Sequence, residues 1–450
     1  MAKETEIKLR ATPETLAALR EHPVLKKRNK EGWKRRELYN QYYDTDTREL
    51  AHARVALRVR RDGDQYIQTL KSRGQSMAGL SERNEWEWNL SGPDLDTSLL
   101  GPECWPAALA DLDKHQLKPI FTTDFTRDYA DIAWERGKSR AVVEAALDQG
   151  AVLAGEHQEA ICELELELRE GEPADLLELA EQLAADLPLM PCDISKAERG
   201  YRLHDAASYT LHLTPPTLTA ETTLDDAFAA IAWHLLGSSQ RLAEQYRWNG
   251  HWRLLVEWVH QLVDLRALLS SLGQAVPRTS SRDLRQALDA LLADWKTFAT
   301  IGQEDEEARQ QAPERFANEL AKPRWGHFSL VAARWLHDRR WTEARNDRGN
   351  KLGQLSLGKW LPRTLSEEAD AIPLQRGMNQ PELVAEQLPR VERMLVWLRL
   401  ARPVLDLPET DRLYGELAKL PALIAHEQHD AVANQARTLI SLPAWKALPR

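Results

Sequence analysis

The side chains best suited to chemistry lie almost at the start of the chain. In Glu4-Thr5-Glu6-Ile7-Lys8 charged and uncharged residues alternate. As a β-strand, this stretch puts Glu4, Glu6 and Lys8 on one face and Thr5, Ile7 and Leu9 on the other. Two carboxylates beside an ammonium can hold a divalent cation next to an anion. On a solvated sheet the same face would do nothing. Later strands carry matching charge at the same period. Cations stand at Arg58, Arg60, Lys71, Arg127 and Lys196, and carboxylates at Glu85, Glu87, Glu144, Asp148, Glu163, Glu165 and Glu167.

The elements that must position these residues fill the chain up to about residue 202. Thr12 as N-cap and Pro13 at the first helical position predict a helix over 13–20. Strands are expected at 37–44, 56–61 and 65–71, the last two joined by the Asp62-Gly63-Asp64 hairpin turn. Over 81–90, Trp86 and Trp88 take the packed face and leave Glu85 and Glu87 on the other. Further strands are expected at 118–131 and 140–148. Ile161 to Leu168 has the clearest period of two: three glutamates on one face, Ile161, Leu164, Leu166 and Leu168 on the other, with a slip at Cys162. A helix follows from Pro173 to Leu187, and Ser195-Lys196 closes the unit. At least seven alternating strands with blocks of acid and base fit a closed antiparallel barrel with a charged lumen, in which cations hold a polyanion and carboxylates hold metal beside it. The alternative is an open sheet with solvated cross-strand ion pairs.

With 450 residues, the chain can form two or three domains. Its 43% hydrophobic and 28% charged content is that of a globular protein, and a net charge of −10 excludes generic nucleic-acid binding by the chain as a whole. The three cysteines have no C-x-x-C spacing, which argues against structural zinc and fits a reducing compartment. No signal-peptide h-region and no apolar run of the ~20 residues a membrane span needs are present, so a cytoplasmic location is expected.

Glu4-x-Glu6-x-Lys8, Arg58-x-Arg60, Lys71, Glu85-x-Glu87, the Glu163–Glu167 run and Ser195-Lys196, in that order, resemble the CYTH domains, also called triphosphate tunnel metalloenzymes. The resemblance implies an eight-stranded antiparallel tunnel over residues 1–202 that binds a triphosphate with Mg²⁺ or Mn²⁺, two ions being expected. It implies phosphate binding by Lys8, Arg58, Arg60, Lys71, Arg127 and Lys196. Metal would be held by Glu4, Glu6, Asp148, Glu163, Glu165 and Glu167, with Glu85, Glu87 and Glu144 as possible support. Glu4, Glu6 and Lys8 would form the catalytic core.

Residues 203–223, rich in threonine and proline, read as a linker. Beyond it the apolar period is helical, with later helices expected at about 315–340, 380–402, 410–425 and 428–441. Eleven of the 16 tryptophans lie there and read as core anchors. Val259 to Leu269, with His260 and Arg266 on one helix, and Leu388 to Arg393 resemble a CHAD domain, an all-helical partner of CYTH domains. The overall class is therefore α+β: a tunnel followed by a helical bundle over 224–450. The CHAD resemblance implies polyphosphate as a possible partner there, through residues such as His260, Arg247, Arg266, Arg390, Arg393 and Arg399; a solvated helix surface is the alternative. For the whole chain it implies a hydrolase of inorganic triphosphate. The alternatives are a thiamine triphosphatase, an adenylyl cyclase, or a non-catalytic polyphosphate or nucleotide-binding module.

Overall fold

The structure, a computed structural model, describes residues 2–72, 74–77, 79–207 and 209–448. By contact it divides into two compact units, one of residues 1–212 with 318–334, the other of 213–317 with 335–450. The helical half expected over 224–450 therefore lends a short segment to the first unit.

Ten strands form one antiparallel sheet in the first unit: β1 (Ala2–Arg10), β2 (Lys34–Asp44), β3 (Ala56–Asp62), β4 (Gln65–Lys71), β5 (Gln75–Met77), β6 (Leu80–Leu90), β7 (Lys118–Arg136), β8 (Ser139–Ala154), β9 (His157–Glu170) and β10 (Met190–Pro191). Eight of them run in the order β1-β9-β8-β7-β2-β3-β4-β6, and β6 pairs back to β1. The barrel is closed, which satisfies every long strand on both sides. The short β5 and β10 add to β6 and β1.

Alternation sorts the two faces. Outside, Ile7, Leu9, Leu164 and Leu166 are buried, and the helices Pro13–Glu21 and Pro173–Asp186 pack on β9, the second of them also on β1. The first helix begins as predicted, with the Thr12 hydroxyl accepting from the Thr15 N–H at 3.2 Å. On the opposite wall Trp86 and Trp88 pack among Leu57, Val59, Leu70, Trp105 and Leu109. Gly63, at φ 60°, makes the β3–β4 turn.

Inside, the barrel is dry at one end and charged at the other. Leu38, Tyr42, Phe121, Phe125, Val152 and Ile161 form an apolar plug with Ala197, Tyr201 and Leu203 of the helix Lys196–His204. Only glycine at 200 allows that approach, since a methyl group there would stand 2.1 Å from the Phe121 ring.

The plug corrects one expectation. The pairing of β8 with β9 runs without interruption through Cys162, so there is no slip. Ile161 lies on the same inner face as the glutamates, at the dry end, and Cys162 stays outside. β7 and β8 also extend past the expected 131 and 148, because Ile132, Trp134 and Val152 continue to find buried positions.

The second unit is helical. Its early helices are Leu224–Asn249, Trp252–Leu268, Arg282–Ile301 and Glu306–Leu320, and later ones include Leu357–Ala371, Leu388–Leu400 and His429–Ser441. The first is capped by the Thr223 hydroxyl. Trp258, Trp295 and Phe316 meet edge-on at 5.2–5.7 Å. The tryptophans of this unit act as core anchors, with Trp258, Trp295, Trp341 and Trp397 fully buried. The single helix expected over 315–340 is in fact two, ending at Leu320 and restarting at Pro323, as a proline at the first helical position dictates.

Candidate active site

Cross-strand register builds the site in rings. Across β1, β9 and β8 one ring sets Glu6 against Glu167 and Glu167 against Glu144. The ring continues to Asp131 on β7. The next sets Lys8 against Glu165, and the third sets Arg10 against Glu163 and Glu163 against Asp148. Side chains opposite each other in a sheet are close neighbours, and like charges placed so are destabilising. The first ring is a row of four acids. Arg169 answers part of it, at 2.5 Å from Glu167 and 2.7 Å from Glu144. Burial, with Glu4 and Glu144 nearby, still pushes the Glu167 carboxyl up to about 7.

The third ring behaves in the opposite way. Lys196 Nζ stands 2.6 Å from Asp148, 2.5 Å from Glu163 and 2.9 Å from Glu165. Arg127 forks onto Asp148 with two bonds of 2.7 Å and also binds Glu165, and Arg199 holds Glu163 at 3.0 Å. Burial alone would raise the Glu165 carboxyl; Lys196, Lys8 and Arg127 outweigh it and hold the group well below its usual range. Burial likewise works against the charged form of Lys196, which Asp148, Glu163 and Glu165 keep above its ordinary value. The oxygens of Asp148, Glu163 and Glu165 lie within 4.8 Å of one another, a spacing that could hold a metal ion. In this structure the Lys196 ammonium serves as their cation.

The facing wall is basic. Lys71 on β4 sits 2.6 Å from Glu4 and 3.3 Å from Glu85, and Arg58 on β3 is 3.9 Å from Glu85. Lys8 lies between the two regions, 3.3 Å from Glu165 and 3.7 Å from Glu6. Burial together with Arg58 and Arg127 pushes Arg60 down to about 10.

These walls enclose a cavity of about 240 Å³ lined by nine basic and eight acidic side chains. Among the described residues a single aromatic ring lines it, that of Tyr42, and this ring is stacked on Phe121 at 4.6 Å. Of the residues expected from sequence, Glu4, Glu6, Lys8, Arg58, Arg60, Lys71, Glu85, Glu87, Arg127, Glu144, Glu165, Glu167 and Lys196 reach the cavity. Asp148 and Glu163 do not line it; they are fully buried behind Lys196. Sequence reading passed over Arg36, Arg83 and Arg169 on the lining and Asp131 on the ring. Arg83 could have been found, because it shares a strand face with Glu85 and Glu87.

Residues 2–201 match the family model of the CYTH domain. The first half of the chain is a CYTH domain. A Haemophilus influenzae protein described as an inorganic triphosphatase is 34% identical over 166 residues, 37% of this chain and 46% of that protein. The match thus spans under half the relative's length. Among solved structures, the Hippeastrum protein HpAC1, described as having a dominant triphosphatase activity, is 21% identical, with 46% of this chain and 97% of that one covered and a TM-score of 0.33. A Bacillus halodurans protein is 23% identical over 41% of this chain and 92% of its own, with a TM-score of 0.25.

The donors of this CYTH domain suit a hard divalent ion. The first ring presents carboxylate oxygens alone, the ligand type of Mg²⁺ and Mn²⁺. It also holds Glu167, whose carboxyl is raised first by burial and then by the neighbouring Glu4 and Glu144.

Proposed function

We propose that the protein is a metal-dependent inorganic triphosphatase that hydrolyses triphosphate to pyrophosphate and phosphate. The observation that carries this reading is the cavity lined by nine basic and eight acidic side chains, with no free aromatic platform among the described residues. A polyanion satisfies the basic wall, and a base or thiazole ring would find nothing to stack on. The Haemophilus influenzae relative described as an inorganic triphosphatase supports the same reading.

In this mechanism Lys8, Arg58, Arg60, Lys71, Arg127 and Lys196 bind and orient the phosphate oxygens, the arginines by paired N–H donors and the lysines as point charges. Glu4, Glu6 and Glu167, with Glu144 beside them, would hold Mg²⁺ or Mn²⁺, which would supply Lewis-acid charge. Asp148, Glu163 and Glu165 fix Lys196 and Arg127, so that these cations are in place before substrate arrives. Hydrolysis of a phosphoanhydride depends on such positioning and charge stabilisation more than on a covalent catalyst. Burial in the barrel strengthens each of these interactions.

The proposal extends to the rest of the chain. Residues 1–202 form the catalytic domain, 203–223 a linker and 224–450 a CHAD-like helical domain. The arginines expected to bind polyphosphate in that domain already have acidic partners: Arg266 with Asp289, Arg390 and Arg393 with Glu368, and Arg399 with Asp264. Cys104, Cys162 and Cys192 are all buried, and three such cysteines support a reducing, cytoplasmic setting. No helix among the described residues is long and apolar enough to cross a membrane.

Phosphate release from inorganic triphosphate, ATP and thiamine triphosphate, each with Mg²⁺ or Mn²⁺, tests the assignment. The expected result is release from inorganic triphosphate at the highest kcat/KM. Faster turnover of either organic triphosphate would replace the substrate, and tight triphosphate binding without release would replace the enzyme by a binding module.

A further inference from the structure

Arg60 differs from most other cations of the cavity wall. Lys8, Arg58, Lys71, Arg127 and Lys196 each have a carboxylate partner. Arg60 forms no ion pair with any described residue. Its Nε instead donates to Asn40 Oδ1 at 2.8 Å, and Asn40 Nδ2 donates to Thr123 Oγ1 at 2.9 Å. The three residues occupy one ring of the barrel. Asn40 is the register partner of Arg60 on one side and of Thr123 on the other.

Asn40 and Thr123 are completely buried. The direction of the relay is fixed by chemistry. Arginine only donates, so the amide must turn its oxygen to Arg60 and its NH₂ to Thr123. With Nε engaged from behind, the two terminal nitrogens of Arg60 are the donors left for the cavity, in the fork that matches a phosphate. Burial and the neighbouring Arg58 and Arg127 disfavour its charge, so an arriving anion relieves a deficit here.

We propose that Asn40, backed by Thr123, is a positioning residue that aims the Arg60 guanidinium at a phosphate group of the substrate. This rests on the reading of the cavity as a triphosphate site. Asn40 touches no substrate and acts through Arg60 alone. A neutral amide suits the task better than a carboxylate. An aspartate at 40 would still accept from Nε, but it would also neutralise a wall cation that carries no acidic partner.

A double-mutant cycle in the full chain tests this, read by kcat and KM for inorganic triphosphate and by its equilibrium Kd. Asn40→Ala should raise KM and Kd about tenfold, with a smaller change in kcat. In an Arg60→Ala background the same substitution should change them less than twofold. Thr123→Val, which keeps shape and removes the hydroxyl, should show a smaller effect of the same sign that also vanishes without Arg60. Asn40→Asp should weaken binding at least as much as Asn40→Ala. Equal losses from Asn40→Ala with and without Arg60, or wild-type Kd in Asn40→Ala, would overturn the proposal. A wild-type chain that neither binds nor hydrolyses triphosphate would overturn it together with the functional reading beneath it.

Discussion

The barrel and the helical unit handle charge in contrasting ways. In the helical unit, arginines pair with acids at partly exposed positions, as Arg266 does with Asp289 and Arg390 with Glu368, while the interior is given to leucine and tryptophan. In the barrel the interior itself is charged. Lys8, Glu6, Asp148, Glu163 and Lys196 are all buried, and one ring stacks acid on acid. Burying charge costs several kcal/mol per ion unless partners are placed to meet it, and well-packed apolar residues would serve stability as well or better. That expense is concentrated around one cavity in the barrel, whereas buried charge in the helical unit sits in separate pairs such as Asp225 with Arg345 and Glu244 with Arg247.

Removing charge should separate the two units most sharply. Lys196→Met leaves Asp148, Glu163 and Glu165 without their central cation. It should destabilise the barrel by about 3–5 kcal/mol and abolish turnover, which thermal unfolding and phosphate release would record. Asp148→Asn in the same chain should recover part of the stability but none of the activity. A Lys196→Met barrel as stable as wild type would mean that the acids of the third ring do not depend on it.

Arg58→Ala should lower kcat/KM for triphosphate at least tenfold, as expected of a buried phosphate clamp. Arg390→Ala, at an exposed pair, should stay within twofold. The contrast fails if both lose activity alike.

The smallest effect concerns pH. Burial lifts Asp264 of the helical unit to about 6, against the pull of Arg399. An acid whose folded pKa is raised binds its proton more tightly in the native state, so its cost appears as pH rises. Between pH 5 and 7 wild type should lose about 1 kcal/mol relative to Asp264→Asn, a shift of a few degrees in that unit's melting temperature. In the barrel the raised Glu167 carries a cost of the same sign, while the depressed carboxylates act with the opposite sign at lower pH. The depressed Glu163 and Glu165 contribute stability fully present above the ordinary glutamate pKa, near 4.5, and lost as pH falls below it. Calorimetry across pH 3–7 would resolve both.

What could be read from sequence follows the same division. Period-two alternation in Glu4–Lys8, Arg58–Arg60 and Glu163–Glu167 names the charged face without reference to any partner, and the structure places its charged residues, Glu163 excepted, around one cavity. Side chains whose meaning comes from a neighbouring strand were hidden. Asn40 reads as an odd polar residue between Leu38 and Tyr42, until register sets it between Arg60 and Thr123. Asp131 acquires significance only as the continuation of the Glu6–Glu167–Glu144 ring. Ile161 lies on the face opposite to the one its apolar side chain predicts, because the barrel interior is itself apolar at that end. In the helical unit the stripes located the helices, and Pro323 marked a break that the apolar period alone runs through.

The central claim is that the chemistry belongs to the charged barrel. Its most direct test compares Glu6→Gln with Arg266→Ala in the full chain, by steady-state phosphate release from inorganic triphosphate with Mg²⁺ or Mn²⁺. Glu6→Gln should lose at least a hundredfold in kcat and Arg266→Ala less than twofold. Equal losses in the two variants, or a fully active Glu6→Gln, would contradict the account.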